Sequence, residues 1–185
     1  PREDYPEWTV FSWNLVPACK CNSVRGRTLI GIVANNERIL HPYFDDVLLN
    51  RNLSCSITPI NGYRIIDITL DCIAVGAELN AIQYHIEQVI KRNGIKESLE
   101  DEWIKIYQKP RKIINTLPKD HTIEDMNELN DILEDFLEIL DERHGTPNNW
   151  DSILIHGILR DNNAKQFILQ RHNDIVNGII DPENN

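Results

Sequence analysis

No stretch of the chain approaches the roughly 18 consecutive apolar residues of a membrane-spanning helix, so no membrane partner is expected. A signal-peptide pattern is also lacking. Cysteine is scarce, and its four copies do not fall at the spacings of a secreted disulfide framework. That usage fits a reducing cytoplasm, where a metal ligand or a free thiol is the default role. No internal repeat or low-complexity segment is evident. Paired ligand spacing is missing from His85, His121, His144, His156 and His172, which are read as non-catalytic.

What is present is enough for a core. The 185 residues suit one or two small domains, and 41% hydrophobic content argues against wholesale disorder. Acid is unevenly placed. Residues 1–75 hold 7 basic and 8 acidic side chains, residues 76–119 hold 8 and 6, and residues 120–185 hold 4 and 15, so the net charge of −10 lies almost wholly in the last third. Such a region repels phosphate backbone and suits a protein partner or solubility.

One stretch carries chemistry: Ser12 to Gly26, Ser-Trp-Asn-Leu-Val-Pro-Ala-Cys-Lys-Cys-Asn-Ser-Val-Arg-Gly. An asparagine amide offers an oxygen to a hard cation and donors to a neighbouring backbone. Two cysteines as close as Cys19 and Cys21 clip one zinc easily, whereas bridging them would strain a disulfide. Trp13 is expected as packing beneath the loop. Asn22 precedes a helical turn, where its side chain either caps the helix or ligates metal. Arg25 and Arg27 flank Gly26 and suit phosphate contact.

The stretch resembles the second half of the HNH endonuclease signature. Asn14-Leu15 matches the middle Asn, Cys19 and Cys21 the cysteine pair, Asn22 the metal-side residue that opens the helix, and Arg25-Gly26 the basic residue and glycine. The lead-in Pro1 to Trp8 and the later run from Ile39 to Asp45 resemble the HNH nuclease subunits of Septu-type and retron-associated anti-phage systems, which work with an ATPase. The motif match covers about the first 45 residues. The resemblance implies a ββα-metal unit with Asn14 in the catalytic loop. It implies Asn22 as a ligand to a divalent metal, magnesium or manganese, with a structural zinc at Cys19 and Cys21. It further implies hydrolysis of DNA or RNA by a cytoplasmic defence effector. Two departures stand beside it. The Asp-His or Glu-His pair that carries the family's general base is not in the chain, which opens at Pro1 and is expected to lack an upstream segment; without that His it should be inactive. Cys19-Lys20-Cys21 is one residue shorter than the usual spacing. The rival expectation is a zinc-stapled, non-catalytic module that binds nucleic acid or protein.

The rest is read for organisation. His41, Asp45 and Asp46 form either a second metal or base cluster or, as the favoured expectation, a structural brace near the ββα unit. Ser54–Thr58 and Tyr63–Leu70 alternate around Asn61-Gly62, a hairpin signal. Cys55 and Cys72, in apolar surroundings, are expected to be buried thiols. From Gly76 the period becomes helical: 77–93, a helix near Ser98 broken by Pro110, Ile123 to Arg143, one capped by Asn149, and one after Asp161. Lys105, Lys109, Arg111 and Lys112 form a basic cluster, a solvated face or a nucleic-acid footprint. The expected fold is α+β: a small ββα-metal HNH unit with a β-hairpin over 1–75, then an all-helical, acidic, partner-docking region over 76–185.

Overall fold

A computed structural model describes residues 31–40, 44–114, 118 and 120–181. Among them lie a two-stranded antiparallel hairpin, β1 (Leu53–Pro59) and β2 (Ile66–Cys72), and five helices. These are α1 (Leu79–Gln88), α2 (Ile95–Gln108), α3 (Met126–His144), α4 (Trp150–Arg160) and α5 (Asn162–Val176). The fold class is α+β, a hairpin followed by helices. No helix among the described residues is long and apolar enough to cross a membrane.

The chain divides into two compact units. One holds the described residues of Pro1–Leu48 together with Ala74–Ile95; the other holds Leu49–Ile73 with Lys96–Asn185. The sequence grouped the hairpin with the residues before it. Packing groups it instead with the helices that follow, with α4 lying against β1.

The hairpin shows why period-2 patterning works. The register sets Cys55 opposite Leu70 and Ile57 opposite Ile68. These four side chains share one buried face, while Ser56, Thr58 and Thr69 on the other face are exposed. The turn lies one residue later than Asn-Gly suggests: Gly62 and Tyr63 both adopt positive φ, at 53° and 62°. Glycine does so freely, but a tyrosine there is strained. Its surroundings hold it. The Tyr63 carbonyl accepts a hydrogen bond from the Trp103 indole at 2.8 Å, and its ring stacks on Phe167 with centroids 5.5 Å apart. Trp103 itself is wholly buried, which contributes on the order of 2–3 kcal/mol.

Helix α4 reaches the hairpin through a glycine. A Cβ at Gly157 would stand 2.7 Å from the Cys55 carbonyl oxygen. Only a bare Cα lets helix and strand come so near. Cys55 Sγ–H also donates to the Ile153 carbonyl at 3.5 Å. The start of β1 is closed by Asn148, whose side-chain oxygen accepts from the Asn52 and Leu53 amides and whose amide donates to the Asn50 carbonyl. At the opposite edge, Glu100 of α2 accepts from the Ile68 amide at 3.1 Å. Both strand edges thus have side-chain partners that blunt further pairing.

Helix ends follow local chemistry. Asp125 accepts from the Asn127 and Glu128 amides ahead of α3, Asn149 from Ser152 ahead of α4, and Asp161 from Asn163 and Ala164 ahead of α5. Gly145, at φ 65°, ends α3. The 77–93 expectation resolves into α1, which ends at Gln88, and a separate turn at Ile90–Arg92, with Val89 between them. The Ile123 start moves to Met126, with Ile123 buried outside the helix. There Asn173 of α5 grips its peptide, accepting from the Ile123 amide and donating to the Ile123 carbonyl. Pro110 opens a short turn after α2 ends at Gln108. Of the two thiols expected inside, Cys55 is buried but Cys72, at the last residue of β2, is half-buried.

Two outcomes test this packing. Gly157→Ala should destabilise the hairpin–helix unit by about 1–3 kcal/mol, the usual cost of overpacking, read as a lowered urea midpoint; an unchanged midpoint would refute the close approach. Burial, with a smaller push from Asp71 and an opposing pull from Arg160, moves the Cys55 thiol up to about 12. In the folded protein at neutral pH, iodoacetamide should therefore modify Cys72 well before Cys55, as peptide mass mapping would show.

Candidate functional site

The residues that carry the HNH resemblance, Asn14, Cys19, Cys21, Asn22, Arg25 and Arg27, lie outside the described residues, as do Trp13 and His41. Among the described residues no group of three or more His, Cys, Asp or Glu side chains is placed to hold a metal.

In the unit containing α1, Arg38 is the organising cation. Its guanidinium lies 2.7 Å from Asp45 and 3.0 Å from Glu78. Glu78 also accepts from the Asn36 side chain at 3.2 Å. Asp45 is thus committed to an ion pair, which ties the segment after Ile39-Leu40 to the start of α1. That is a bracing contact, and a half-buried pair of this kind holds geometry more than it adds stability. His85, on α1, accepts the Leu40 amide proton through Nδ1 at 3.1 Å. Burial drives its pKa down to about 4, against a smaller opposing effect of Asp45. A neutral ring with Nδ1 as acceptor fits that bond.

A second group surrounds the polar face of the hairpin and escaped the sequence reading. His156 of α4 shares a 2.8 Å hydrogen bond with Ser54. Burial lowers the His156 pKa, helped by Arg51 and Arg160 and opposed by Asp141. Arg51 pairs with Asp141 and also donates to the Pro147 carbonyl at 3.0 Å. Asp71 accepts from Ser56 at 2.6 Å and faces Arg160 at 3.5 Å. A serine beside a histidine invites comparison with a hydrolytic dyad. Ser54, however, is 0% exposed, so no substrate carbonyl reaches its hydroxyl. The pair fastens α4 to β1. No periodic signal marks it, because Ser54 and His156 are 102 positions apart.

The basic cluster is partly paired within the fold, although Lys105 and Lys112 stay exposed. Glu102 draws both Lys105, at 2.8 Å, and Lys112, at 2.5 Å. Partial burial works against the Glu102 charge, yet these two lysines hold its carboxyl below the ordinary range. Arg111 donates to the Pro118 carbonyl at 2.9 Å. Arg171, 6% exposed, lies over the Tyr107 ring at 4.2 Å and donates to the Tyr107 carbonyl. Part of the positive charge near Pro110 therefore serves the fold. On α3, by contrast, Asp131, Glu134, Asp135, Glu138 and Glu142 are all exposed, leaving an acidic outer face.

No family model, no curated protein and no solved structure matches the chain.

The buried histidines set a pH dependence. An unfolded histidine takes up a proton near pH 6.5, whereas His85 in the fold does so only near 4. Between those values the unfolded state binds more protons. Stability is thus complete above about pH 6.5 and falls as the pH drops through 4, by on the order of 3 kcal/mol for this group. His156 and His172, whose pKa values burial also lowers, act in the same direction. His85→Asn keeps an acceptor near the Leu40 amide but does not titrate. Urea unfolding from pH 7 to 4 should show a shallower loss in the variant; equal slopes would refute the assignment.

Proposed function

We propose that these residues form part of an HNH-type nuclease subunit that hydrolyses phosphodiester bonds of DNA or RNA, working with an ATPase in anti-phage defence in the cytoplasm. The observation that carries the reading is the order and spacing of Asn14, Cys19, Cys21, Asn22, Arg25 and Gly26. The donor set fits its expected groups by chemistry. The Asn22 amide oxygen suits a hard divalent cation such as magnesium or manganese, and the Cys19 and Cys21 thiolates suit zinc. When bound, a divalent metal supplies stabilisation of charge on the attacked phosphate and on the leaving oxygen. Asn14 orders the loop, and Arg25 and Arg27 hold the substrate backbone by contact with its phosphates.

The C-terminal helices have a different role in this reading. Residues 120–185 carry 15 acidic side chains against 4 basic ones. The exposed carboxylates of α3 disfavour contact with nucleic acid. That end of the chain docks the ATPase, and substrate contact stays with the N-terminal residues.

Full-length protein incubated with plasmid DNA or total RNA, with and without the co-encoded ATPase, should cleave one of them only when magnesium or manganese is supplied. Asn22→Ala should bring cleavage to background while the far-ultraviolet circular dichroism spectrum is unchanged. Retained zinc with no cleavage under any metal would overturn the nuclease reading and favour a zinc-stapled binding module.

A further inference from the structure

We draw no further inference here: the strongest candidate, the exposed pair Ile60 and Ile65 beside Arg64 at the tip of the hairpin, is an apolar patch for which nothing in the structure shows what covers it.

Discussion

The approach of α4 to β1 at Gly157 is the constraint on which the larger unit rests. With no side chain at that position, the helix lies against the strand backbone itself. Neighbouring contacts then follow. Ile153 receives the Cys55 thiol, His156 reaches Ser54, and Asn148, just before the helix, closes the first amides of β1. Helices α3 and α5 pack on α4, so the position of one helix on one strand propagates through the bundle. A two-stranded ribbon is marginal in water on its own. Here one helix covers its edge, and the apolar face joins a core that includes Leu99, Trp103, Leu133 and Ile153.

Polar groups in this unit work mostly as fasteners. Asn148 and Asn173 each imitate a peptide, offering an acceptor and a donor to backbone groups. Glu102 collects two lysines, and Glu100 satisfies an edge amide of β2. Histidine is used in its neutral form: His85 accepts from an amide, and His172 hydrogen-bonds the His121 carbonyl. Such contacts specify a geometry because leaving a buried donor or acceptor unmade is expensive.

Local signals in the sequence were good guides where the physics is local. The hairpin alternation, the cap at Asn149, the stop at Gly145 and the break at Pro110 all depend on a few adjacent residues, and each is found in the structure. Misplaced features depend on distant partners. Tyr63 takes a left-handed turn position because Trp103 and Phe167 hold it there, which no dipeptide rule anticipates. Ile123 has helical periodicity yet stays outside α3, since Asn173 binds its peptide and Asp125 supplies the cap. The hairpin joins the helices across about 100 positions for the same reason. The candidate site presents the opposite case. Its residues, Asn14 to Gly26, are expected from the sequence alone and lie outside the described residues, among which Asp45 is engaged with Arg38.

The larger unit is interrupted: Ala74–Ile95 belongs to the other unit, and the chain then returns. This ordering has a consequence for biosynthesis. Cys55 and Ile153 are separated by 98 positions, and a ribosome adding about 5–20 residues per second needs roughly 5–20 s to cover that distance. During that interval the hairpin has left synthesis without α4 to lie against its first strand. A newly made chain must therefore carry apolar strand surface in the open for seconds, a window in which chaperone engagement competes with aggregation.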